Sequence, residues 1–244
     1  GATVHNTFPV PSPTKKTFVF LSDRQGFRNL FLMKKSGKPH PVFSNAKFDN
    51  LANSPPAWSP DGKQLVVTVK DGPENILVIV DAPRGRVRRR LHFPFLDIGH
   101  PRFSPDGGSL AFVGFNGSAG EIYLVDIKSG EWRQLTWDDT ANASPAFTPS
   151  GQQLVYISEG PDGTILKIVD DLHAARPRSR QLGSGEPIKG KRPDVSPDGK
   201  WILFDSGESG IPNLYAATLD GGEIRQLTDA RTGIFAGRWD RDGK

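Results

Sequence analysis

The chain has 244 residues, with 31 Lys and Arg against 27 Asp and Glu, a formal net charge of +4, and no cysteine. That length holds a large core in a single all-β domain, and the lack of cysteine excludes disulfides and thiolate chemistry. So slight a basic excess does not by itself argue for a nucleic-acid partner, and no apolar run is long enough to cross a membrane.

The elements are predicted in chain order. The opening GATVHNTF has no charged segment followed by an apolar one, so no signal peptide is read there. SPTKK at Ser12 leads into FVFL (Phe18–Leu21), a loop DRQGFR (Asp23–Arg28) and NLFLM (Asn29–Met33). PAWSPDGK (Pro56–Lys63) leads into LVVTV (Leu65–Val69) and ILVIV (Ile76–Val80), then a basic run RGRVRRR (Arg84–Arg90). FSPDGG at Phe103 leads into LAFVG (Leu110–Gly114), IYLVD (Ile122–Asp126), a KSG turn (Lys128–Gly130) and RQLT (Arg133–Thr136). FTPSG at Phe147 leads into LVYIS (Leu154–Ser158), ILKIV (Ile165–Val169) and a second basic run HAARPRSR (His173–Arg180). VSPDGK at Val195 leads into ILFDS (Ile202–Ser206), NLYAATL (Asn213–Leu219), a DGG turn (Asp220–Gly222) and RQLT (Arg225–Thr228). The chain closes on WDRDGK from Trp239.

The same unit recurs. Its markers at Ser12, Ser59, Ser104, Thr148, Ser196 and Asp240 are spaced by about 45 residues, the period of a propeller blade. The runs are short, β-branched and aromatic, so they read as strands. In SPDG, Pro fixes φ, Asp bonds its own backbone and Gly accepts positive φ, which makes a tight turn. One blade cannot bury both of its faces, so blades must stack and cover one another. The prediction is an all-β fold, a β-propeller of four-stranded antiparallel blades forming a single domain over 1–244. Five blades are favoured, with a fragment of a six- or seven-bladed propeller as the alternative. In the five-bladed case the strand around Arg238–Asp240 is expected to supply the innermost strand of the blade that begins at Phe18.

These residues resemble the TolB-like propeller repeat, a WD40-like family. The match rests on PAWSPDGK, the apolar strand after it, the Ile122–Tyr123 and Leu214–Tyr215 pairs, and the QLT endings at Gln134–Thr136 and Gln226–Thr228. It covers nearly the whole chain and speaks to fold rather than to reaction. The resemblance implies a periplasmic or otherwise extracytoplasmic scaffold that binds a protein or peptide. TolB itself carries an amino-terminal α/β domain and six blades. Nothing in this sequence resembles the former, and five complete strand triplets stand against the latter.

Candidate sites follow from strand order. With strands A to D counted from the axis outward, B–C loops and D-to-A connections share one end of each blade. The residues flanking the strand-A proline lie near the axis: Pro55 and Ala57, His100 and Arg102, Ser144 and Ala146, Arg192 and Asp194, Ala236 and Arg238. His100, Arg102, Arg192, Asp194 and Arg238 therefore form a candidate funnel for a small anion, against a structural network in which Asp194 pairs with Arg102 or Arg238. Arg24, Phe27, Arg28, Phe48, Trp137, Asp138, Asp139 and Arg231 are candidate loop contacts, since an exposed Trp beside carboxylates can stack a sugar or hold a peptide. The two basic runs read as a solvated rim that protects edge strands, against the alternative of a surface for an anionic partner such as lipid headgroups or an acidic protein; without interleaved aromatic residues no nucleic-acid partner is expected.

No nucleophile elbow, Gly-rich phosphate loop or His ligand spacing occurs, so no catalytic residue, metal or cofactor is assigned. The reading is a non-catalytic binding or sensing module. One alternative is an enzyme or enzyme accessory: a propeller detached from a peptidase, or a carbohydrate-active funnel with His100 as base and Arg102 or Arg238 holding a carboxylate. Another is an engineered or excised propeller without a ligand.

Overall fold

The computed structural model describes residues 4–34, 36–43, 50–52, 54–82, 84–138, 140–161, 163–183, 185–240 and 242–243. The protein is a β-propeller of five four-stranded antiparallel blades, and no helix occurs among the described residues. None can therefore cross a membrane as a long apolar helix. The chain divides into two compact units, Gly1–Gly117 with Val125–Glu131 and Ser118–Leu124 with Trp132–Lys244.

Blade I runs β1 (Asn6–Pro11), β2 (Thr17–Ser22), β3 (Asn29–Lys34), β4 (His40–Phe43). In blade II the innermost strand is split into β5 (Asn50–Leu51) and β6 (Ala57–Trp58), both paired to β7 (Gln64–Asp71), with β8 (Glu74–Asp81) and β9 (Val87–Leu91) outside. Blade III runs β10 (Asp97–Phe103), β11 (Ser109–Phe115), β12 (Gly120–Asp126), β13 (Trp132–Gln134). Blade IV runs β14 (Ala141–Phe147), β15 (Leu154–Gly160), β16 (Gly163–Val169), β17 (Ser179–Gln181). Blade V runs β18 (Lys191–Val195), β19 (Trp201–Ser206), β20 (Asn213–Thr218), β21 (Ile224–Gln226).

The carboxy-terminal segment does not supply the first blade's innermost strand. Residues 6–11 hold that place, pairing from Asn6 with Ser22 to Pro11 with Phe18. The physical reason is visible in the residues. FPVPSP (Phe8–Pro13) repeats HPRFSP (His100–Pro105), SPAFTP (Ser144–Pro149) and RPDVSP (Arg192–Pro197).

That pattern builds a bulge. Phe8, His100, Ser144 and Arg192 each have φ between 52° and 54°, and each lies where the register of its innermost strand slips. A bulge with a residue in the left-handed region re-aims the side chains on either side of it, at a cost of roughly 1–2 kcal/mol in non-glycine residues. Blade II has Pro55 at this position, and proline cannot adopt positive φ. Its inner strand is accordingly broken in two.

Each SPDG turn is latched the same way. Ser59 Oγ donates to Asp61 Oδ1 at 2.7 Å and accepts from Gln64 N–H at 2.9 Å, while Lys63 N–H donates to Asp61 Oδ1 at 3.0 Å. Ser104 with Asp106 and Ser196 with Asp198 repeat the pattern. The serine hydroxyl, aided by the backbone amide, holds each of these aspartates below the ordinary carboxylate range. Between blades, alternate strand residues interdigitate. Val19, Leu21, Leu30 and Leu32 pack on Leu65, Val67 and Val69, and Leu166, Ile168 and Leu182 pack on Ile202 and Phe204. Non-directional apolar burial of this kind is the main term holding blade to blade.

Candidate functional site

Rigid strands present loops of two chemical kinds. The A–B turns are short and polar, and the C–D connections expose polar and basic residues, the longest running over residues 170–178 of blade IV. The B–C loops and D-to-A connections carry exposed apolar side chains: Phe27, Phe115 and Ile211 at B–C ends, Leu96 and Trp137 in D-to-A connections, and Ile234 and Phe235 in the segment after β21. Two others, Trp132 and Ile224, open the outermost strands β13 and β21 just past their C–D turns, and among the described residues no exposed large apolar side chain lies within an A–B or C–D turn itself.

The expected funnel residues are mostly committed to partners. In blade V, Arg192 holds Asp205 through Nε at 2.9 Å and Nη2 at 2.7 Å, and its guanidinium lies 5.4 Å from the Phe235 ring. Asp194 accepts from Arg238 Nη1 at 3.0 Å and from Trp239 N–H at 2.9 Å. Of the two pairings considered for Asp194, Arg238 is the partner seen. In blade III, the His100 N–H donates to Ser54 Oγ at 2.8 Å, and Arg102 Nη1 donates to the Pro101 carbonyl at 3.3 Å. Burial first, and the Arg102 charge second, lower the His100 imidazole to about 4, so it is neutral at pH 7.

The expected loop contacts divide. Arg24 donates through Nε to Ser22 Oγ and through Nη2 to Asn6 Oδ1, both at 3.0 Å, and lies over Phe31 at 4.7 Å, so it caps the end of its own blade. Phe27 and Arg231 are exposed, and Arg28 is half-buried. Trp137 is exposed, with Arg176 over its ring at 5.3 Å. Asp138 binds Lys167 Nζ at 2.6 Å and accepts from Asn142, which also donates to Glu121 at 3.0 Å. Burial alone would raise the Asp138 carboxyl, but the Asn142 and Lys167 hydrogen bonds outweigh it and hold it low. Phe48 and Asp139 lie outside the described residues.

The loop end of blade V holds a cavity of about 530 Å³. Lys189, Lys191 and Arg192 line it together with Asp205, Glu208 and Pro212. Lys189 and Glu208 form an exposed ion pair at 3.1 Å. Asp205 forms part of the floor, 4% exposed. Sequence reasoning singled out Arg192 here and missed the rest. Asp205 had a signal: in the register of the second strand, the other blades carry Leu21, Thr68, Val113 and Ile157. A charge where every other blade carries an uncharged residue needs a partner, and the preceding strand offers Arg192. Among the described residues no three His, Asp or Glu side chains gather as a metal site would need.

The TolB beta propeller domain family matches residues 42–186 and 98–244, two overlapping arrays of blades. The chain belongs to this family. Similar proteins include the uncharacterized peptidase YuxL of Bacillus subtilis, 30% identical over 152 residues, 62% of this chain and 21% of that one. The Tol-Pal system protein TolB of Nitratidesulfovibrio vulgaris is 28% identical over 145 residues, 59% of this chain and 32% of that one. Among solved structures, TolB from Acinetobacter baumannii superposes with a TM-score of 0.76 at 20% identity, over 94% of this chain and 55% of that one. That last likeness shows the fold alone. The chain spans about half or less of the length of the curated relatives it matches. As a TolB propeller it shares a blade architecture both with a Tol-Pal component and with a peptidase.

Proposed function

We propose that this TolB propeller is a non-catalytic module that binds a protein or peptide through its B–C loops and D-to-A connections, in an extracytoplasmic compartment. One observation carries the reading. Among the described residues most exposed aromatic and aliphatic side chains fall at those ends of the blades, and at the other end only Trp132 and Ile224, at the starts of β13 and β21, stand exposed beside a turn. Apolar anchors with a polar surround are what protein interfaces use. The location is carried over from the family resemblance. The test is site-specific photocrosslinking in the source cell, with a crosslinking residue in place of Phe27, Trp137 or Phe235, and in place of Asp106 and Asp198 as turn controls. The expected result is a discrete adduct from the first set and none from the second. Equal labelling from both sets would sink the reading.

A second reading has its own support. The likeness to a peptidase across 62% of this chain favours a propeller that works beside a hydrolase domain. The partner bound by the loops would then be a peptide on its way to a separate active site.

A further inference from the structure

We infer that the cavity at the loop end of blade V is a carboxylate site for a peptide, with an apolar side chain of the same peptide resting on Phe235. The inference deepens the peptide-binding reading and rests on it for the biological role, though not for the chemistry.

The charges decide the class of ligand. Three cations, Lys189, Lys191 and Arg192, line the cavity against two acids, Asp205 and Glu208. One net positive charge remains, which matches one carboxylate; a phosphate dianion would leave the cavity negative. Arg192 commits Nε and Nη2 to Asp205 and leaves Nη1 without a hydrogen bond among the described residues. Lys191 has no ion pair among them. The Lys189–Glu208 pair is solvent-exposed and therefore weak, so Lys189 is easily recruited. Asp205 does not repel the ligand as a bare charge, because it is neutralised by Arg192 and also accepts the Ala236 N–H at 3.3 Å.

The rim decides that the ligand is more than a bare anion. Phe235 is 61% exposed and lies against the guanidinium of Arg192. Ile211 and Ile234 are exposed beside it, and the Ile234 N–H donates to the Pro212 carbonyl at 2.7 Å, which fastens this rim to the cavity wall. A carboxylate next to an aromatic or aliphatic side chain occupies both halves. Two sources supply that chemistry: the carboxy terminus of a peptide, or an internal Asp or Glu.

The probes are N-acetyl-phenylalanine, its neutral amide, and N-acetyl-Asp-Phe-amide, titrated into the whole chain and followed by backbone amide NMR shifts. The free acid is expected to give saturable shifts at Lys191, Arg192 and Gly207, and the neutral amide to bind at least about tenfold more weakly, the ratio that loss of about 1.4 kcal/mol produces. Lys191→Gln is expected to remove that preference for the acid, and Phe235→Ala to weaken both probes severalfold. Both substitutions are at exposed positions, and an unchanged amide spectrum elsewhere shows that each variant folds. Stronger binding of N-acetyl-phenylalanine assigns a peptide terminus, and stronger binding of N-acetyl-Asp-Phe-amide assigns an internal acid. Equal binding of acid and amide, no binding of either acid, or shifts confined to other blades would overturn the inference. Failure here with adducts at Phe27 and Trp137 would leave the protein-binding reading intact. Carboxylate binding without any adduct would do the reverse.

Discussion

His100 carries two burdens at one residue. Its backbone is at φ 52° to form the bulge, and its ring is held neutral by burial and by Arg102. A histidine lowered in the folded state binds fewer protons there than in the unfolded chain between its folded value of about 4 and an unfolded value near 6.5. Its neutral form is fully compatible with folding above about pH 6.5, and stability falls as pH drops through that window. The ring is half-buried, so the loss is at most about 3 kcal/mol at pH 4, from about 1.4 kcal/mol for each pH unit. His100→Asn keeps a residue that tolerates positive φ and removes the titration. Urea melts at pH 7 and pH 4.5 are expected to show a smaller acid penalty for the variant; an identical penalty would mean that other groups carry it.

At the scale of the element, the QLT ending is a latch whose value depends on what covers it. Thr136 Oγ1 accepts the Ile122 N–H and Thr228 Oγ1 accepts the Leu214 N–H, both at 2.9 Å, so the polar half is the same in blades III and V. The apolar half differs. Leu135 and Leu182 are fully buried at this position, whereas Leu227 is 49% exposed. Leu135→Ala is expected to destabilise by about 2–5 kcal/mol, as truncation in a packed core does, and Leu227→Ala by less than about 1 kcal/mol. Thermal or urea melts of the two variants check this; equal losses would show that the latch acts through its backbone bonds alone. The motif is legible in the sequence, but its cover is not, because burial belongs to whatever packs against the blade. The same limit hid Lys189, Lys191 and Glu208, whose meeting depends on a connection folding back beside Thr164.

Across the whole molecule the repeat period made the fold readable, because each blade obeys the same turn chemistry at the same spacing. Blade I begins ahead of SPTKK, because Phe8–Pro13 already spells the bulge and turn that the other inner strands carry. The split inner strand of blade II was equally written in Pro55, through φ rather than through hydrophobic pattern. What could not be read was which charges flanking the inner-strand proline would find each other, since Arg102 and Arg238 were equivalent partners for Asp194 on paper.

The segment after β21 repeats the inner-strand signature, with Ala236 at φ 61°, yet it forms no strand among the described residues. Its place beside blade V rests on polar pins and on one close approach. Asp194 takes Arg238 Nη1 and the Trp239 N–H, and its carbonyl accepts Trp239 Nε1 at 3.2 Å. At Gly237 a Cβ would meet Leu214 at 2.9 Å and Leu203 at 3.0 Å, so the backbone packs directly on the sheet. The two contributions are separable. Asp194→Ala removes the charge-assisted bond from Arg238 and the side-chain acceptor of the Trp239 N–H, together worth about 1–3 kcal/mol of local opening. Amide exchange at Trp239 is then expected to speed up by about 5- to 150-fold, with the melting temperature nearly unchanged, because a segment without ladder bonds opens without unfolding the blade. Unchanged exchange would place the hold in the Gly237 contact, and Gly237→Ala would then release the segment where Asp194→Ala did not. A melting temperature that falls together with faster exchange would mean that the segment is as integral to blade V as its own inner strand.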